Sequence, residues 1–456
     1  MEKLVTWIDN RFPLIKVWNE HLAEYYAPKN FNFWYYMGSL AMLVLVIQIV
    51  TGIFLTMHYK PDTATAFASV EYIMRDVPWG WLIRYMHSVG GSAFFILVYL
   101  HMFRGLLYGS FREPRELVWL IGCVIFVALM AESFMGYLLP WGNMSYWGAQ
   151  VIISLFSAIP WVGEGLSEWI RGDFVVSDAT LNRFFAFHVI LVPLLLALLV
   201  FLHIVALHAV GSNNPDGIEI KKLKDENGIP KDGIPFHPYY TVKDLVGIGV
   251  FLILYFAVIF FVPEFFGWFL EKDNFIPANP LQTPPDIVPL WYFTPYYSVL
   301  RAVTDSFIIV LAVMVAVAVL VALWAARGLL SKAAAIVIGG AFILGLYILE
   351  AKFWGVMMMG LSIVVFFLLP WLDKSPVKSI RYRGWMYKFA LFLFVIAFII
   401  LGYLGTKNPS HIDLAFFQNV TWAQIGLVVY FAFFILMPVY TKIDKTKPEP
   451  DRVTTK

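Results

Sequence analysis

Ten separate stretches of about 20 apolar residues recur along the chain, and a run of that length is what one helix needs to cross a bilayer. They fall at 33–57, 80–108, 117–139, 181–210, 245–262, 302–326, 333–349, 353–372, 387–404 and 425–440. With 60% hydrophobic and 14% charged residues, the chain is too apolar for an ordinary soluble domain. The fold class this predicts is all-α: a polytopic membrane protein of about ten transmembrane helices. Placing the N-terminus in the cytoplasm puts 24 of the 33 Lys and Arg residues in inside-facing segments, so both termini are expected there. Arg327 and Lys332 then mark the inner turn of a hairpin at 302–349. A net charge of +2 with no basic repeat gives no support for nucleic-acid binding. The first 30 residues lack an apolar signal core and read as an uncleaved amphipathic lead-in, with Ile8, Phe12, Ile15 and Trp18 at helical spacing.

Four histidines sit inside these apolar runs. His87 and His101 are 14 residues apart in the second, and His188 and His203 are 15 apart in the fourth. At 100° per residue, 14 steps end roughly 40° short of whole turns and 15 steps roughly 60° past, so each pair lies near one face of its helix. Each pair also spans roughly 21–22 Å of helix axis, too far to share one ion. A single histidine in a membrane helix is often only an interhelical hydrogen bond. Four in two near-equal spacings point instead to two bis-His haem sites, one near each side of the membrane. Helices two and four run the same way, so His87 pairs with His188 on the outer side and His101 with His203 on the inner. The single cysteine, Cys123, excludes a covalent CxxCH attachment, so the haems would be non-covalent. Gly38 and Gly52 in helix one, and Gly122 and Gly136 in helix three, repeat the spacing of 14. They would either let helices approach closely or leave room for a macrocycle face. Pro193, between the second pair, would loosen the ladder enough to present both imidazoles.

The segments WLIRYMHS around His87, HMFRGLLYGS from His101, MGYLLPWGNMSYWGAQVI at 135–152, RFFAFH ending at His188, HIVALHAVGSNNP at 203–215, IPFHPYYTVKD at 234–244 and PLWYF at 289–293 resemble cytochrome b, the membrane subunit of the cytochrome bc complex. The resemblance covers nearly the whole chain. It implies two non-covalent b haems, a low-potential one on His87 and His188 and a high-potential one on His101 and His203. Arg84 and Arg104, at i−3 and i+3 from a histidine, would serve as propionate cations, unless they only snorkel to the interface. It further implies quinol oxidation at an outer site, one electron crossing to reduce quinone at an inner site, and coupled proton translocation. Implied partners are a Rieske-type iron–sulfur subunit, a c-type cytochrome subunit, membrane lipid and a second copy in a homodimer, in a bacterial cytoplasmic membrane.

For the outer site the resemblance carries over Met130, Phe134, Tyr137, Gly148, Ile152, Pro289, Leu290, Tyr292, Phe293 and Tyr297. For the inner site it carries over His208, Ser212, Lys243 and Asp244. One departure matters. The motif usually written PEWY is PLWY here, and Leu290 cannot accept the proton that its glutamate takes. Another outer acid is expected in that role, with Asp286, Glu164 and Asp305 as candidates. The expected organisation is a surface lead-in (1–30), a di-haem four-helix bundle (31–215), an inner loop, fifth helix and PLWY loop (216–300), an extra lipid-facing hairpin (301–350), a three-helix quinol-site domain (351–441) and a polar tail (442–456). Two other readings stay open: a di-haem, quinone-reactive anchor of a dehydrogenase, and a transporter with a histidine proton relay.

Overall fold

The computed structural model describes residues 2–19, 23–326 and 328–454. Arg327, expected at the inner turn of the hairpin, lies outside the described residues. The lead-in forms α1 (Glu2–Asp9) and α2 (Leu14–Trp18), interrupted at Pro13, with Phe12, Ile15 and Trp18 exposed. After it, β1 (Tyr26–Pro28) pairs antiparallel with β2 (Gly233–Pro235), Tyr26 opposite Pro235, so the lead-in is tied to a distant loop.

The first half then runs α3 (Tyr36–Thr56), α4 (Ala66–Arg75), α5 (Gly80–Tyr108), α6 (Glu116–Leu138), α7 (Asn143–Phe156), α8 (Gly163–Arg171), α9 (Asp178–Ala186), a π-helical turn at Phe187–Leu191, and α10 (Val192–Val210). Segments α9 to α10 form one span, Asp178–Val210. Helix α3 packs along α5 and α6 along α10, which makes a four-helix bundle of two tight pairs. In its core Phe95 stacks on Tyr292 at 3.9 Å, so the loop after α11 (Tyr239–Phe261) reaches into the bundle.

The second half comprises α12 (Thr294–Ala302), α13 (Ile308–Ala325), α14 (Leu329–Ile348), α15 (Ala351–Leu372), α16 (Trp385–Leu404), α17 (Asn419–Ile435) and α18 (Met437–Ile443). Its core is aromatic: Phe366, Phe394, Tyr430 and Phe434 pack between α15, α16 and α17. It docks on the bundle through Trp119, whose indole N–H donates to the Phe366 carbonyl at 2.8 Å. The expected hairpin is present as α13 and α14. Gly339 lets the two touch, since a Cβ there would lie 2.1 Å from Val319 Cγ2. Helix α13 leans on α17 and α18, away from the histidines.

Among the described residues nine helices are long and apolar enough to span a membrane. The tenth expected span is two helices, α17 and α18, bent by 57°. Pro438 follows the break, and its ring cannot continue the hydrogen-bond ladder there. Two short helices, α4 and α12, occupy stretches read as loop; both are below the length of a span, the signal that the reading followed.

The expected polar tail is an ordered strap. Arg452 grips Asp232 with Nε at 2.8 Å and Nη2 at 2.9 Å, and Lys29 adds a third cation contact at 2.8 Å. These partners hold the Asp232 carboxyl well below the usual carboxylate range, the Arg452 hydrogen bond being the largest cause.

Candidate functional site

The π turn solves the unequal histidine spacings. Val192 N–H donates to the Phe187 carbonyl, an i→i−5 bond that inserts one extra residue beside His188. Pro193 follows at once and has no N–H to close the ordinary turn. The 15 residues from His188 to His203 therefore cover the rotation of 14, and both rings point to α5. His87 faces His188 with ring centroids 6.0 Å apart, and His101 faces His203 at 6.3 Å. The pairing expected from helix direction is the pairing found.

Two imidazoles, each about 2 Å by its nitrogen from a first-row metal, have ring centroids about 6 Å apart. Both pairs fit that spacing. Among the described residues no cluster of three or more His, Cys, Asp or Glu is placed to hold an ion. A metal between two histidines thus takes its remaining ligands from elsewhere, as a macrocycle supplies them.

The four glycines stand behind the four rings. A Cβ on Gly38 would lie 3.1 Å from His101 Cε1, on Gly52 3.3 Å from His87 Cε1, on Gly122 3.3 Å from His203 Cε1 and on Gly136 2.4 Å from His188 Cε1. The room they leave faces the edge of each imidazole. Arg104 donates to the Asn213 carbonyl at 3.1 Å, and Arg84 lies half-buried one turn before His87.

At one end of the bundle, a cavity of about 650 Å³ opens between α6, α7, the end of α9 and the PLWY loop. Met130, Phe134, Tyr137, Gly148, Ile152, Pro289, Leu290, Phe293 and Tyr297 all line it. Tyr292 does not; it is turned into the bundle core, hydrogen-bonded to Ser133 at 2.5 Å. The three acids expected nearby do not converge on this cavity. Glu164 borders a separate, polar cleft with Ser157 and Glu350, while Asp286 and Asp305 are exposed.

Behind Tyr137, a lining residue of the cavity, stands the carboxylate of Glu271. It accepts from the Tyr137 hydroxyl at 3.0 Å. Burial pushes its carboxyl up to about 7, and Asp273 adds to the rise. Sequence reasoning missed it because it lies 19 positions before Leu290, in a turn with no periodic signal, and its partner is 134 positions away.

At the opposite end, His208 stacks on Tyr25 at 4.5 Å, and Ser212 bonds the same tyrosine's hydroxyl at 2.8 Å. Asp244 accepts from Tyr35 at 3.3 Å and Ser39 at 3.5 Å. Tyr25 and Tyr35 belong to one aromatic cluster with Phe31 and Tyr240, which joins these residues into one region. Lys243 borders it: its ammonium lies over the Tyr239 ring at 4.3 Å and 5.7 Å from the ring centroid of Tyr240.

Known proteins match along the whole chain. The family described as cytochrome b/b6/petB matches residues 22–211, and the cytochrome b C-terminal/b6/petD family matches 277–336 and 340–431. Cytochrome b of Allochromatium vinosum is 57% identical over 99% of this chain and 98% of its own length. That of Rickettsia prowazekii is 46% identical over 98% and 96%. A solved structure described as a hyperthermophilic respiratory Complex III superposes with a TM-score of 0.79 at 35% identity, covering 97% of this chain and 99% of that one. The chain belongs to the cytochrome b family, and haem b and electron transport come with that membership.

Proposed function

We propose that this chain is the di-haem subunit of a quinol–cytochrome c oxidoreductase in a bacterial cytoplasmic membrane, with both termini on the cytoplasmic side. The observation that carries the reading is the two facing histidine pairs, 6.0 and 6.3 Å apart, at two depths of one bundle. His87 and His188 hold the haem near the PLWY end, His101 and His203 the other, and Arg84 and Arg104 face the propionates. Bound haem supplies one-electron relays through the low-dielectric slab.

Quinol binds in the 650 Å³ cavity, whose aromatic and small side chains suit a flat apolar head group. Glu271, in place of Asp286, Glu164 or Asp305, accepts a quinol proton through the Tyr137 hydroxyl. Its carboxyl, poised near 7, is able to take and release a proton at physiological pH. At the other end His208, Ser212 and Asp244 bind quinone and deliver protons to it. Lys243, beside Tyr240, adds a cation at the edge of that region. The Complex III likeness supports Rieske-type iron–sulfur and c-type cytochrome partners.

A dithionite-reduced minus oxidised spectrum of the purified protein, with haem quantified per chain, tests this. Two non-covalent b haems are expected. Folded protein without haem overturns the reading.

A further inference from the structure

Among the described residues, only one of the four histidines has a carboxylate behind it. Glu132, on α6 one turn before Gly136, places Oε1 3.0 Å from Nδ1 of His188. The Glu132 carbonyl oxygen lies 3.0 Å from the same nitrogen. The second carboxylate oxygen, Oε2, is buried without a hydrogen-bond partner. The other three rings differ. His87 Nδ1 meets the neutral Thr51 hydroxyl at 2.9 Å. Nδ1 of His101 and Nδ1 of His203 have no hydrogen-bond partner among the described residues.

A carboxylate inside a membrane bundle is costly unless it is paired. Among the described residues no lysine or arginine pairs with Glu132; the His188 ring is its partner. The contacts fix the ring: Nδ1–H is shared between the Glu132 carbonyl oxygen and its carboxylate, both at 3.0 Å, which leaves the Nε2 lone pair directed at His87. A carboxylate that accepts from the far nitrogen of a metal-bound imidazole makes that ligand more basic. A more basic axial ligand, with a negative charge behind it, favours the oxidised metal and lowers its potential.

We propose that Glu132 is a positioning residue that sets the redox potential of the haem held by His87 and His188, holding it below that of the haem on His101 and His203. The potential difference that drives an electron from the PLWY end to the other end then resides partly in one side chain. This rests on the reading of His188 as a haem ligand.

The test is a potentiometric titration of the purified intact protein, followed optically and by the low-spin ferric EPR signals, for the wild type, Glu132→Gln and Glu132→Ala. Gln keeps an acceptor at Nδ1 and removes the charge. Both variants should raise the midpoint of the low-potential component by about 59 mV or more, equivalent to a tenfold change in its reduced fraction at fixed potential. The high-potential component should not move, and only the EPR signal of the low-potential haem should shift. Two bound haems with an unmoved low-potential midpoint in both variants would overturn the proposal. So would loss of that haem alone from both, which would make Glu132 a structural support only. A wild type without two haems would instead overturn the functional reading on which the proposal rests.

Discussion

Glu271 and Tyr137 meet across 134 positions of sequence, the tyrosine hydroxyl donating to the carboxylate at 3.0 Å beside the apolar cavity. The Leu290 side chain, where a glutamate is usual, lines the same cavity. If this carboxylate takes the quinol proton, Glu271→Gln should lower quinol oxidation by about 100-fold, the lower end of general-base contributions. Wild-type turnover should rise with pH as the carboxyl ionises through about 7, and the variant should lose that limb. Steady-state quinol oxidation in the assembled complex across pH 5.5–8.5 (roughly one and a half units either side of that value) checks both. A pH profile unchanged in the variant would return the question to Asp286.

The glycines rank by clearance. Gly136→Ala puts its methyl 2.4 Å from the His188 ring, whereas Gly52→Ala puts it 3.3 Å from His87. The first should displace the imidazole and leave about one haem per chain; the second should be absorbed by small shifts and leave about two. Haem per chain by pyridine haemochrome reads the difference. Equal retention in both would detach the glycines from the haem sites.

Deleting Ile190, whose side chain is exposed, should turn the π turn at Phe187–Leu191 into ordinary α-helix. His188 and His203 would then be 14 residues apart and still face α5. Both haems should stay bound, with unchanged optical maxima. Loss of either would show that the wide turn does more than restore register.

Asp232 gives the strap a pH signature. Its carboxyl is depressed by Arg452 and Lys29, so the stability it adds is fully present above the ordinary carboxylate pKa of about 3.9. That stability fades as pH falls through the lower folded value. Arg452→Ala should weaken this acid dependence and expose the tail to protease at neutral pH. Limited proteolysis with mass spectrometry should find cleavage in 444–454; a tail as resistant as wild type would sink the assignment.

The architecture was legible where one local rule decided it. Apolar length gave the spans, and two histidine spacings with helix direction gave both facing pairs. The reading faltered where contacts over long sequence distance decide. Nothing near Glu271 announces Tyr137, nothing near Glu132 announces His188, and the bend at α17–α18 hides inside an apolar run long enough to look straight. Glycine roles were half legible: the spacing of 14 was visible, but whether it served imidazole or macrocycle depended on 3 Å clearances. Asp286, Glu164 and Asp305 share only the expected side of the membrane, which says little about which side chains stand at a cavity built from α6, α7 and the loop.

The buried Asp216 carboxylate is satisfied by Asn30 at 3.0 Å, Arg381 at 2.9 Å, Tyr382 at 2.8 Å and the Thr454 backbone N–H at 2.8 Å. Those partners come from residue 30, from the turn at 381–382 and from residue 454, so one buried acid pins three distant parts of the chain to a single point. Withdrawing any one of them leaves a carboxylate short of donors in a low-dielectric setting. The three segments therefore come apart together, as one cooperative unit, rather than peeling away singly.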